Sequence, residues 1–234
     1  MSTAPHHLTY EYGGQQEQVL GFGDPDAPRK ILIIPPLFDE MNRVRRMLVG
    51  AMRDLVACGV ATYLPDLPGC NESLALMPEQ DLAIWRTAMA LAAQRLGATH
   101  VAAIRAGALV DDSIALPHWR LAPVKGASII KMMMRTRIAG DKEAGVVTSM
   151  DDLIAEAQIS RVELSGNLLN SKMVEQLGEA EPVAMPNIRT VTLGDGADMI
   201  AGSALWLRAE PQDDAAMCAA IAADLDRWSV SCGG

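Results

Sequence analysis

Histidine, paired cysteines, excess positive charge and long apolar runs are all scarce in this 234-residue chain, and each scarcity excludes a class of function. No stretch approaches the ~20 uninterrupted apolar residues that a membrane-spanning helix needs. The opening Met1-Ser2-Thr3-Ala4-Pro5-His6-His7 has no basic region leading into an apolar core. The expectation is a cytoplasmic protein with no membrane span. Lys and Arg number 20 against 29 Asp and Glu, a formal charge of −9, which argues against sequence-independent binding of nucleic acid or anionic lipid. Cys58, Cys70, Cys218 and Cys232 form no CxxC pair and are too sparse for a disulfide framework, so reduced thiols are expected. Half the residues are hydrophobic and 21% charged, which suits one folded domain over residues 1–234.

What the chain does contain is a repeated strand-helix pattern. His7 to Tyr12 and Gln18 to Phe22 flank Gly13-Gly14 and read as a hairpin. Lys30 to Ile34 is a nearly continuous aliphatic run halted by Pro35-Pro36, the mark of a buried parallel strand. From Met41 the residues Val44, Met47, Leu48, Ala51, Met52, Leu55 and Val56 recur at helical spacing until Gly59. Val60 to Leu64 is a second parallel strand, Asp81 to Leu96 a helix closed by Gly97, and His100 to Ile104 a third strand. The spacing then predicts a helix to about Leu116 and a strand over Arg120 to Val124. The pattern weakens over residues 139–185, where a small lid is expected. Strands are predicted again at Ile188 to Leu193 and Ala204 to Leu207, followed by a helix from about Gln212 to Trp228. Strands alternating with helices on short loops imply an α/β fold of three layers, a mostly parallel sheet with helices on both faces. Ligands then sit at the C-terminal ends of the strands.

A hairpin first and a lid before the last two strands suit an α/β-hydrolase-like fold, which places Ser on a sharp G-x-S-x-G turn, then an acid, then a late His. The turn here is Ala103-Ile104-Arg105-Ala106-Gly107, with small residues at both flanking sites. Arg105 holds the nucleophile position, and a permanently protonated guanidinium offers only donors. The four histidines are His6, His7, His100 and His118, none after the last predicted strand. Asp195 or Asp198 stands near the acid position with no imidazole to orient.

Two runs carry a family resemblance: Ile34-Pro35-Pro36-Leu37-Phe38-Asp39-Glu40-Met41-Asn42-Arg43-Val44-Arg45-Arg46-Met47, and Leu64-Pro65-Asp66-Leu67-Pro68-Gly69-Cys70-Asn71-Glu72-Ser73. With Arg105-Ala106-Gly107-Ala108-Leu109, Pro123-Val124-Lys125-Gly126 and Val162-Glu163-Leu164-Ser165-Gly166, they span roughly residues 30 to 180. The chain thereby resembles the exosortase A system-associated hydrolases, bacterial proteins of the α/β-hydrolase superfamily encoded near exosortase and exopolysaccharide genes. One branch of that family also carries Arg at the elbow. The resemblance implies a partner in the exosortase or polysaccharide system, while fold ancestry by itself does not establish chemistry.

Each candidate residue has a functional and a structural reading. Arg105 either captures an anion beside the helix amides or forms an internal ion pair with Glu40 or Asp66. Glu40, Asn42, Arg45 and Arg46 follow the first parallel strand, where hydrolases supply part of the oxyanion hole; alternatively Asp39 caps the helix, Glu40 complements its dipole and the arginines are solvated. For Arg43 the solvated reading is preferred. Asp66 and Ser73 match a D-x-x-G-x-x-x-S pattern whose usual job is to satisfy backbone amides in a tight loop. Cys70 is an alternative nucleophile, with His118 as the one candidate base. Asp111-Asp112, Asp151-Asp152 and Asp213-Asp214 read as caps and solvated faces, and no metal or cofactor is expected. The Lys131-to-Arg137 run, rich in methionine, reads as core filling, with a grip on an acyl chain or partner as the alternative. Two functions follow: ester, thioester or acyl-group hydrolysis or transfer by unconventional residues, or a non-catalytic pseudo-hydrolase that binds a small anionic or acyl ligand, or a protein, through the cleft around Arg105, Glu40, Asn42, Arg45 and Asp66.

Overall fold

The computed structural model describes residues 4–212 and 214–232. Strands β1 (His6–Tyr12) and β2 (Gln15–Phe22) pair antiparallel through Gly13 and Gly14, whose φ values of 59° and 79° make the two-residue turn that right-twisted strands favour. β3 (Arg29–Ile34), β4 (Val60–Pro65), β5 (His100–Ile104), β6 (His118–Leu121), β9 (Ile188–Leu193) and β10 (Met199–Ile200) run parallel, with β2 joining antiparallel to β4. The order is β1-β2-β4-β3-β5-β6-β9-β10. The chain moves from β3 to one side and then returns to β3's other side with β5, so the crevice lies outside the C-terminal ends of β3 and β5.

Alternating strand residues divide the core. Ile31, Ile33, Ala102 and Ile104 pack against α1 (Asp39–Ala57) and α6 (Ala215–Ser231). Leu32, Ile34, Val101 and Ala103 face α2 (Leu82–Leu96) and the segment between β6 and β9. This is a three-layer α/β fold, a mostly parallel sheet with helices on both faces. Asp81 starts α2 by accepting from the Ile84 amide at 2.8 Å, and Gly97 ends it in the left-handed region.

Between β6 and β9 the chain forms α3 (Gly126–Glu143), α4 (Met150–Ile159), the hairpin of β7 (Val162–Leu164) and β8 (Asn167–Leu169), and α5 (Ser171–Glu179). α3 runs through the polar stretch at Ala139, supported by the Arg137–Asp141 pair at 2.8 Å one turn apart. Met133 and Met134 fill the core from α3, as their softness suits. Ser149 and Asp152 form a reciprocal cap on α4.

Three local expectations fail for tertiary reasons. The helix predicted to Leu116 is one short 3-10 turn, Arg105–Leu109, because Asp111 leaves the periodic pattern to bind Arg120 of β6 through two hydrogen bonds of 2.8 and 2.6 Å. The strand predicted over Arg120 to Val124 is His118–Leu121, ended by Ala122 at φ 44° and by Pro123. The strand predicted at Ala204 to Leu207 is a 3-10 turn, Leu205–Leu207, that tucks Trp206 inward; Met199–Ile200 forms the last strand instead. Asp111 is fully buried, so it is neither a cap nor a solvated face, and Asp112 pairs with Arg86 at 3.1 Å. Asp214 caps α6, while Asp213 lies outside the described residues.

Candidate functional site

The crevice is lined by the loops that leave β3 and β4 and by the β7–β8 turn, with the turn after β5 packed against the end of β3. Among the described residues six non-glycines have positive φ, and Phe38, Asn71, Arg105, Ala122 and Ser165 are five of them, following β3, β4, β5, β6 and β7. Such conformations cost of order 1–3 kcal/mol each and persist where surrounding contacts hold them. At the elbow the holding contact is close packing: a Cβ on Gly107 would lie 2.5 Å from the Pro35 carbonyl oxygen and 2.7 Å from that of Ile34. Only glycine lets the turn after β5 press against the end of β3.

Arg105 stands on that turn at φ 55°. Its Nε and Nη2 donate to the two Glu40 carboxylate oxygens at 3.2 and 3.1 Å, and Nη1 donates to the Ala122 carbonyl at 3.1 Å. The guanidinium also lies 4.5 Å from the centroid of the Trp206 ring. Glu40 is wholly buried in the first turn of α1, and Arg105 retains 15% side-chain exposure. Burial raises the Glu40 carboxyl above its ordinary value, against the hydrogen bonds and charge of Arg105. Of the two partners weighed for Arg105, the geometry supplies Glu40.

Asp66 instead takes Arg45, at 3.6 Å, together with hydrogen bonds from the Asn71 amide at 2.8 Å and the Glu72 backbone at 3.4 Å. Ser73 Oγ accepts from the Gly69 amide at 2.8 Å. This loop has the backbone-satisfying role usual for its pattern. Asp39 does not cap α1: the cap position is Phe38, and Asp39 pairs with Arg43 at 2.7 Å. Arg43 is half-buried and donates to the Trp206 carbonyl, so it is not simply solvated. Three arginines on or beside α1 are thus matched by Asp39, Glu40 and Asp66.

A cleft of about 220 Å³ opens at these strand ends, lined among others by Pro35, Asn42, Cys70, Asn71, Ser165 and Asn167. Of the residues singled out from sequence, Asp39, Asn42 and Cys70 line it, Arg45 and Asp66 border a separate depression with His7, and Arg105 and Glu40 line neither. Burial pushes the Cys70 thiol up to about 12, with Asp66 and Glu17 acting in the same direction. His118 begins β6, at the opposite end of the parallel strands from Cys70, and its ring nitrogens lie 3.3 Å from Asp111 Oδ2 and 2.8 Å from the Ile114 carbonyl. It therefore does not meet Cys70. Asp195 is exposed on the loop after β9.

Trp206, Asn71 and the Ser165–Asn167 turn are site residues that sequence reading missed. Ser165-Gly166 belonged to a noted motif, but nothing local says that the β7–β8 turn reaches the β3 loop. Among the described residues no three His, Cys, Asp or Glu side chains gather to hold a metal ion, and no helix is long and apolar enough to cross a membrane.

No family model matches the chain, and no curated protein matches it. Solved structures similar to it include an epoxide hydrolase from Vigna radiata, at 15% identity and TM-score 0.43, covering 56% of this chain and 44% of that one. A serine hydrolase without a lid from Xanthomonas campestris shows 16% identity and TM-score 0.44, covering 54% of this chain and 64% of that one. A thioesterase domain from the curacin biosynthetic pathway shows 14% identity and TM-score 0.48, covering 97% and 99%. The chain spans less than two thirds of the length of the first two.

Proposed function

We infer that this hydrolase-fold chain does not hydrolyse esters by a Ser-His-Asp triad and instead acts as a binding protein, its cleft at the strand ends taking a small acyl ligand. The observation that carries the reading is Arg105: the residue on the nucleophile turn is engaged by buried Glu40, the Ala122 carbonyl and the Trp206 ring. An anion gains little in the cleft, because Arg105 does not line it and is already paired with Glu40, whereas Asp39 does line it. A neutral acyl group fits better beside Pro35, the exposed Asn42 amide and the Ser165 turn. Cys70 does not rescue catalysis, since its thiolate is disfavoured and His118 lies elsewhere. The motifs from Ile34 to Met47 and from Leu64 to Ser73 support placing the protein in the cytoplasm of a bacterium, serving an exosortase and exopolysaccharide system with a protein partner there.

Turnover of p-nitrophenyl butyrate and of a short acyl thioester tests the chemistry. Wild type and Arg105→Ala should both match the buffer blank; a saturable rate above the blank in wild type overturns the reading. Deleting the gene tests the setting. Surface polysaccharide or protein sorting should change, and no change in either contradicts that assignment.

A further inference from the structure

A second concavity lies away from the strand-end cleft and shares no lining residue with it. It is a groove of about 610 Å³ at the junction of α3, α4 and α5, within the roughly 300–1,000 Å³ typical of small-molecule sites. Its walls are apolar: Ile130 and Met134 from α3, Ile154 and Ala157 from α4, and Val174 from α5. Ile154 is 43% exposed there, apolar surface that a single chain would otherwise keep in water. Gly178 of α5 also lines the groove, and a Cβ on it would meet no atom within 4 Å, so the space beside it is open.

One end of the groove is cationic. Lys131 lines both the groove and an adjoining shallower depression, where Ser128 and Arg135 join it on the same face of α3. Among the described residues neither Lys131 nor Arg135 has a carboxylate within ion-pair distance, unlike Arg137 with Asp141 on the same helix and Lys125, just before it, with Glu181. Glu175 stands on the α5 side of the groove, away from that depression's lining. An apolar trough opening onto two unpaired cations and a hydroxyl complements one kind of molecule, an amphiphile with a straight aliphatic tail and a single anionic head.

We propose that this groove binds a free long-chain fatty carboxylate, its tail along Ile130, Met134, Ile154 and Val174 and its carboxylate between Lys131 and Arg135. Methionine and isoleucine walls adapt to a flexible tail, and the carboxylate supplies the charge that the α3 rim lacks. The site is independent of the strand-end cleft and does not require the elbow to be inactive.

Calorimetric titration of the full chain with octanoate, decanoate and dodecanoate, each below its micelle concentration, tests the assignment. Binding should be one-to-one and tighten roughly tenfold for each added pair of methylenes. Gly178→Leu, which fills the open space without meeting backbone, should weaken dodecanoate at least about tenfold while the thermal midpoint holds or rises. Lys131→Glu with Arg135→Glu should weaken dodecanoate at least about fivefold and leave decanol binding unchanged. Wild-type affinity in Gly178→Leu, or equal loss of decanol and dodecanoate on charge reversal, overturns the proposal. So does self-association of the chain that Gly178→Leu abolishes, which assigns the groove to a second copy.

Discussion

Replacing Arg105 by Ala leaves the Glu40 carboxylate without its cation, and the structure sets the scale of the loss. Glu40 is fully buried while Arg105 is only partly so, and breaking a buried ion pair from one side costs about 3–5 kcal/mol. The remaining exposure of Arg105 and the option of protonating Glu40 favour the low end, about 3 kcal/mol. For a chain of this length that lowers the melting temperature by roughly 6–12 °C. Glu40→Gln, which leaves a partly exposed guanidinium that water can reach, should cost less, about 1–2 kcal/mol. The double variant should recover about 2 kcal/mol relative to the sum of the singles. The Arg105→Ala deficit also depends on pH. A carboxyl whose folded-state value is raised above its unfolded value contributes stability at low pH that is lost as pH rises through the folded value. The deficit should therefore shrink from pH 8 toward pH 5, as Glu40 becomes neutral. Urea unfolding followed by tryptophan fluorescence at several pH values measures all four proteins. Additive losses with coupling under about 0.5 kcal/mol, or a deficit that grows on acidification, would refute the lock between elbow and helix.

Gly107→Ala should destabilise by at least about 2 kcal/mol or abolish soluble expression, because its Cβ would stand 2.5 Å from the Pro35 carbonyl oxygen; thermal unfolding checks it. Burial works against ionised Asp224, yet hydrogen bonds from Arg189 and Trp119 hold its carboxyl below the ordinary 3.8. Asp224→Asn should then cost about 2–4 kcal/mol at pH 7, and the gap to wild type should close as pH falls through the folded value. Cys70, pushed up to about 12, should carry about a thousandfold less thiolate at pH 8 than an ordinary thiol, so mass spectrometry should find it unmodified by iodoacetamide on the timescale that alkylates a free peptide thiol.

The parallel core was legible because its cues are local. Aliphatic runs ended by Pro35-Pro36, helices stopped by Gly59 and Gly97, and the Gly13-Gly14 turn each state their own structure. The elbow was legible too, since small residues on both sides of Arg105 are a steric requirement visible in the chain. What escaped was whatever depends on a distant partner. Asp111 looks like a helix residue until Arg120 is beside it, and Trp206 looks like a strand residue until Arg105 needs a cover. Arg105 itself left two carboxylates open, and only the placement of α1 decides for Glu40. Two arginines of α1, Arg43 and Arg45, are taken by Asp39 and Asp66, and Arg105 of the elbow is taken by Glu40; no local pattern states the last two pairings.

The central claim is that the strand-end elbow presents no nucleophile to an acyl group. Intact-mass spectrometry after exposure to a fluorophosphonate, which phosphonylates activated serines, tests it most directly. The account predicts no mass increase at concentrations that fully label an active serine hydrolase in the same tube; a single stoichiometric adduct mapping to a residue of the cleft, Ser165 above all, would contradict it.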